Sequence, residues 1–149
     1  MPEINRVFLD ATPIIYYVQQ NEHFFEKVRR IFVFLNENYF DFIASDVVTA
    51  EARVHAYRYN KIDWLNNFDN LMNLLNVKII HTSEEIAIKT SQIRAKYNSF
   101  ETPDAFNLAT AVLSDCEIFL TNDKRLRQFD EIKCVTIDDF NFDSEETEK

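Results

Sequence analysis

Glycine is absent from all 149 residues. That excludes the glycine-rich phosphate loops of P-loop enzymes and of dinucleotide-binding folds. It also leaves the turns to the many Asn and Asp residues, which tolerate left-handed backbone better than most. Cysteine is scarce, with only two in the chain. Cys116 and Cys134 lie in strand-like segments and read as small buried hydrophobes of a reducing compartment rather than as a disulfide. No apolar run reaches the length of a membrane span, and Met1-Pro-Glu leads into a strand without a signal-peptide pattern. A cytoplasmic protein with no membrane attachment is expected.

Positive charge is also in short supply: 16 Lys and Arg stand against 25 Asp and Glu, a net charge of −9. Taken whole, that balance argues against a nucleic-acid partner. Its distribution weakens the objection. Residues 138–149 hold six acids and one lysine, a net of −5, which leaves −4 for the rest of the chain. The last residues, 141–149, read as an acidic, solvated and frayed tail beyond a single domain at 1–140.

What is present is an alternation of short apolar strands and amphipathic helices. Strands are expected at Arg6–Asp10, Phe40–Ala44, Val77–Ile80, Cys116–Thr121 and Lys133–Ile137. Between them lie helical patterns at Thr12–Gln20, Glu22–Asn36, Val47–Asn60, Ile62–Leu75 and Ser83–Tyr97. Thr82-Ser-Glu-Glu85 has the spacing of a capping box. This order predicts a three-layer α/β/α domain with a mostly parallel central sheet.

The most informative stretch runs from Thr102 to Leu126. Thr102 reads as a helix N-cap with Pro103 in the first turn, and Ala105, Leu108, Ala109, Val112 and Leu113 repeat with helical period. A dozen helical residues go out roughly 18 Å, and five strand residues come back roughly 16 Å. Asp104 and Asp123 therefore return to one edge of the sheet. Asp10 ends the first strand, and Glu51 lies in the second turn of the helix after the second. Ligands of such sheets bind outside the carboxyl ends of the strands. Four carboxylates gathered there repel, and a hard divalent cation is the simplest group to offset the repulsion.

Four pieces of sequence carry a family resemblance: Phe-Leu-Asp10-x-Thr-Pro-Ile-Ile, Ser45-x-Val-Val-Thr49-x-Glu51, Pro103-Asp104-Ala-x-x-Leu-Ala-Thr-Ala111, and Leu-Thr121-Asn-Asp123-Lys-x-Leu126. In this order and spacing they resemble the PIN domain, the nuclease fold of VapC-type toxins in toxin–antitoxin pairs. The resemblance spans about Val7 to Ile137. It implies a single-strand ribonuclease dependent on Mg²⁺ or Mn²⁺, with Asp10, Glu51, Asp104 and Asp123 as its acidic quartet. It departs from the family after the first Asp, where Ala11-Thr12 replaces the usual Thr followed by a small polar residue. It departs again before the fourth strand, where Ser114-Asp115-Cys116 stands in place of a glycine.

On this reading Asp10 and Asp104 are the central metal ligands. Glu51 and Asp123 complete the site directly or through water, and Thr121 and Thr12 orient carboxylates or waters. Lys124, Arg125, Arg127, Arg94 and Lys96 are candidate contacts to RNA phosphates, with an ordinary solvated surface as the equal alternative. His55 follows Glu51 by one helical turn, without a second histidine to make a metal site. Phe25, Phe32, Phe34, Trp64 and Phe68 are too many for one stripe per helix. They suggest an interface, and with it a homodimer and an apolar surface for an antitoxin. The competing expectation is a catalytically silent PIN-like module kept for binding a partner.

Overall fold

The strands of this chain are short and apolar, and the first three are each followed by helices, so the strands pair with parallel neighbours and the sheet is covered on both faces. The computed structural model describes residues 5–143 and shows that arrangement. The strands are β1 (Arg6–Leu9), β2 (Asp41–Ser45), β3 (Lys78–Ile80), β4 (Ile118–Thr121) and β5 (Lys133–Thr136). They form one sheet in the order β3-β2-β1-β4-β5, and all four pairings are parallel. The helices are α1 (Ala11–Val18), α2 (Phe25–Glu37), α3 (Asp46–Arg58), α4 (Ile62–Leu74), α5 (Glu84–Lys96) and α6 (Thr102–Leu113). Helix α1 packs on α2, α3 and α4, while α5 lies along α6. A short 3₁₀ turn, Lys124–Gln128, follows β4 and has no counterpart in the sequence pattern.

The central strand explains the core. Val7, Phe8 and Leu9 are fully buried, and Phe8 stacks on its register partner Phe119 of β4 with ring centroids 4.9 Å apart. Because β1 lies between β2 and β4, the chain reverses its direction of travel across the sheet between β1 and β4. Parallel sheets open a crevice at such a switch point.

Helix ends show how the chain manages without glycine. Gln20, Tyr39, Asn60, Asn76 and Asp115 all have positive φ, each just past the C-cap of a helix. At the end of α3, the Lys61 N–H donates to the Ala56 carbonyl and the Asn60 N–H to that of Tyr57. The same paired bonds close α6, from Cys116 to Ala111 and from Asp115 to Val112. These are Schellman closures, a place where Gly is usual. Asn and Asp fill three of the five, as expected, whereas Gln20 and Tyr39 adopt the left-handed region without a short polar side chain to ease it.

Several local expectations are corrected. The cap of α5 is Ser83, whose hydroxyl accepts from the Ile86 N–H, while Thr82 instead donates to the Asp46 carboxylate. The N-cap of α6 is Glu101, which moves Thr102 into the first helical position. The aromatics thought to spill outward are mostly covered. Phe32 and Phe68 are buried, and Arg53 lies over the Phe68 ring. Trp64 is partly buried beside Lys61, and Phe25 meets Tyr17. Phe34 packs edge-on against Phe140 and Phe142. The packed chain therefore continues past residue 140: Arg30 caps the Phe142 ring, Lys27 pairs with Asp138, and Arg127 pairs with Asp139. The remainder of the expected acidic tail, 144–149, lies outside the described residues.

Candidate active site

At the switch point, Asp10 directly follows β1. Its N–H donates to the Leu120 carbonyl of β4, so the sheet ladder itself fixes where this residue leaves the strand. Asp10 also serves as the N-cap of α1. One carboxylate oxygen accepts from the Ala11 N–H at 2.8 Å, and the other accepts from the Thr121 hydroxyl at 2.8 Å. Thr121 is completely buried, and its oxygen accepts in turn from the Asp123 N–H at 3.1 Å. A single hydroxyl thus ties Asp10, at the end of one central strand, to the loop carrying Asp123 at the end of the next.

The electrostatics place the other acids around Asp10. Burial pushes the Asp10 carboxyl above its ordinary value, the Thr121 and Ala11 hydrogen bonds pull it back, and the charges of Asp104 and Asp123 raise it again. Glu51 is likewise raised, first by burial and then by the charges of Asp10 and Asp104. Asp10 thus feels the charges of Asp104 and Asp123, and Glu51 those of Asp10 and Asp104. Asp104 is held at the start of α6, where its carboxylate accepts from the Glu101 N–H at 3.1 Å, as an acid in a first helical turn can. Asp123 caps the 3₁₀ turn by accepting from the Arg125 N–H at 3.0 Å.

Arg125 is the feature least legible in the sequence. Its Nε donates to both oxygens of Asp123, at 3.1 and 3.2 Å, and its Nη2 reaches Asp123 Oδ2 at 2.6 Å. The same Nη2 lies 3.3 Å from Asp104 Oδ2, and Nη1 donates to the Ser99 carbonyl at 3.0 Å. The guanidinium holds the Asp123 carboxyl below its ordinary value. The adjacency Asp123-x-Arg125 was visible, but the reach to Asp104, 21 positions earlier, was not.

The other predicted residues have more local roles. Arg94 donates to the Phe100 carbonyl and the Thr102 hydroxyl, bracing the loop before α6. Arg127 pairs with Asp139, and Lys96 with Asp130. Lys124 is exposed beside them. Thr12 is partly buried in the first turn of α1, and among the described residues its side chain joins none of the hydrogen bonds around Asp10. His55 stacks on Tyr59, one turn along α3. Asn107 was missed. It is buried three residues after Asp104 and accepts at 2.6 Å from Ser45, the residue that caps the helix of Glu51. A polar residue interrupting an apolar stripe was the available signal. The Ser45–Asn107 pair locks α3 to α6 and so fixes Glu51 relative to Asp104.

The donor set fits a hard divalent cation: carboxylate oxygens only, from four parts of the chain, mutually repelling and partly withdrawn from water. Among the described residues, no three of these groups stand close enough in the present arrangement to hold one ion together. Asp104 and Asp123 are instead drawn toward the Arg125 guanidinium.

The PIN domain family profile matches residues 7–132. Among solved structures, the VapBC2 pair from Rickettsia felis, bound to a DNA fragment from their promoter, is similar with a TM-score of 0.74. It is 15% identical, and the match covers 88% of this chain and 98% of that one. A toxin–antitoxin complex from Klebsiella pneumoniae gives 0.67 at 23% identity, covering 88% and 97%. VapC20 of Mycobacterium tuberculosis, a sarcin–ricin loop cleaving toxin, gives 0.65 at 12% identity, covering 85% and 98%. At these identities the likeness is one of fold. No curated protein sequence matches the chain. With a three-layer parallel α/β fold, acids gathered at its switch point, and a profile match over most of its length, this chain belongs to the PIN domain family.

Proposed function

We propose that the protein is a metal-dependent endoribonuclease and the toxin of a toxin–antitoxin pair. The observation that carries this reading is the convergence of Asp10, Glu51, Asp104 and Asp123 on one edge of the sheet, where the charges of three of them raise the carboxyls of Asp10 and Glu51. A structural role alone does not explain why four acids, two of them sharing one guanidinium, are gathered where they repel. Toxin–antitoxin assemblies among the similar folds support the biological setting, and the sarcin–ricin loop cleaving toxin among them supports the substrate class.

Asp10 and Asp104 would hold Mg²⁺ or Mn²⁺, with Glu51 and Asp123 completing the site directly or through water. When bound, such an ion lowers the pKa of water and acts as a Lewis acid toward a phosphodiester. The chain's own residues do the positioning. Ala11 and Thr121 each occupy one lone pair of Asp10, which fixes the plane of that carboxylate and leaves a lone pair on each oxygen for an ion. Glu101 fixes Asp104 in the same way through its backbone N–H.

Cleavage of mixed single-stranded RNA with Mn²⁺, wild type beside Asp104→Asn, tests the reaction. Loss of at least about 100-fold in rate is expected, the scale of removing one group that stabilises charge in a transition state. Cleavage at the wild-type rate would mean that the activity lies elsewhere. Neutralisation of Asp104 and Asp123 by Arg125 favours the alternative of a silent binding module, and the same assay on the wild type separates the two.

We also propose a homodimer that takes an antitoxin segment. The support lies on the two helices whose apolar faces the sequence singles out, α2 and α4, and on the α3–α4 junction beside them. Tyr57, Tyr59 and Ile62, at the junction of α3 and α4, are exposed. An apolar cleft of about 200 Å³ opens between α2 and α4, lined by Phe32, Val33, Leu71, Leu74 and Leu75. Exposed apolar patches mark interfaces, and closed two-fold dimers are the commonest solution. Light scattering over a dilution series checks it: a mass fixed at the monomer's 17.7 kDa throughout excludes the dimer.

A further inference from the structure

Arg125 carries an inference that rests on the metal reading above and extends it. An arginine two residues after an aspartate could form an ordinary surface pair with it. This one has three anchors instead. It bonds both oxygens of Asp123, reaches Asp104 at the start of another helix, and is held from behind by the Ser99 carbonyl. Gln128 steadies the same corner, donating to the Ser99 hydroxyl at 3.0 Å and to the Arg125 carbonyl at 2.9 Å.

The decisive detail is that one nitrogen, Nη2, bonds one oxygen of each carboxylate. A Mg²⁺ ion shared by those two oxygens would sit about 2.0–2.1 Å from each. Nitrogen and ion claim the same space, and both are cations. We propose that Arg125 is an internal counter-cation, which occupies the place between Asp104 and Asp123 and has to leave it before a divalent ion can be bound by both. The arrangement then has two states: carboxylates splayed around a guanidinium, or carboxylates drawn onto an ion with the guanidinium released. That no three acids among the described residues form an ion-sized cluster while Arg125 is seated agrees with the first state. The released side chain, on an exposed turn at the crevice mouth, is then free to meet a substrate phosphate.

The test is calorimetric titration of Mn²⁺ into the wild type, Arg125→Gln and Arg125→Lys. Removing the competing charge should tighten Mn²⁺ binding by about ten-fold in Arg125→Gln. Arg125→Lys should fall between, since it keeps the charge but not the fork that grips Asp123. Equal or weaker binding by Arg125→Gln, with Mn²⁺ still bound by the wild type, overturns the proposal and leaves the metal reading standing. No binding by wild type or variants overturns both. A second readout needs no variant. In the wild type the Arg125 Nε–H resonance should shift and exchange faster with water as Mg²⁺ saturates, whereas a resonance unmoved by bound Mg²⁺ contradicts the proposal.

Discussion

The two halves of the acidic crevice solve the same electrostatic problem differently. On one side, Asp10 and Glu51 have no cationic partner among the described residues, and their carboxyls are raised by burial and by neighbouring charge. Asp10 is held there by neutral donors, the Ala11 N–H and the Thr121 hydroxyl. On the other side, Asp104 and Asp123 share a guanidinium, and Asp123 is lowered accordingly. Hydrogen bonds from neutral groups position a carboxylate without cancelling its charge. An ion pair does both. The first half therefore keeps its negative charge uncompensated, while the second shares the charge of Arg125.

Four substitutions probe that contrast. The largest effect expected is on catalysis, the loss of at least about 100-fold for Asp104→Asn, because the residue belongs to the half that must exchange one cation for another. Next is Thr121→Val, nearly isosteric, which removes the hydroxyl linking Asp10 to the Asp123 loop. A hydrogen bond to a charged group contributes about 1.5–3 kcal/mol, so urea unfolding should show a loss near 2 kcal/mol. An unchanged midpoint would mean that the two halves are not coupled through Thr121.

A smaller difference should separate Asp104→Ala from Asp104→Asn. Asn can still accept from the Glu101 N–H and Ala cannot, so Ala should be less stable by about 0.5–1 kcal/mol, the scale of a helix cap. Equal stabilities would show that this bond contributes nothing. The smallest effect is a slope. Because the folded state raises the Asp10 carboxyl, ionised Asp10 opposes folding; this penalty is complete above the folded pKa and vanishes below the unfolded one. Without divalent metal, Asp10→Asn should therefore melt above the wild type at pH 7, with the gap closing as pH falls toward 3.8, the ordinary Asp value. A gap that widens in acid contradicts this.

The sheet, its parallel sense and the position of the acids were legible because each rests on a local signal: an apolar strand, a helix start, an acid just past a strand end. The out-and-back path of α6 and β4 was enough to bring Asp104 and Asp123 to one edge, and the structure joins them through a single guanidinium. Charge pairing was not legible. Arg94, Arg125 and Arg127 looked alike in sequence, yet each is used by its own chain, one on a loop, one on the acids and one on Asp139. Surface aromatics were misread for a related reason. Periodicity locates a face of α2, but not the return of Phe140 and Phe142 across Phe34 from more than a hundred residues away. Asn107 lay hidden because its partner, Ser45, already had a sufficient role as a helix cap. Contacts distant in sequence between polar groups leave no periodic trace.

The central claim is that the acids form a divalent-metal centre, and thermal unfolding with increasing Mn²⁺ tests it most directly. An ion that binds only the folded state raises the melting temperature in proportion to its occupancy. The wild type should gain several degrees at saturating Mn²⁺, as expected for roughly 2–3 kcal/mol of linkage, and the double variant Asp10→Asn with Asp104→Asn should gain nothing. An identical response from the two proteins would contradict the assignment.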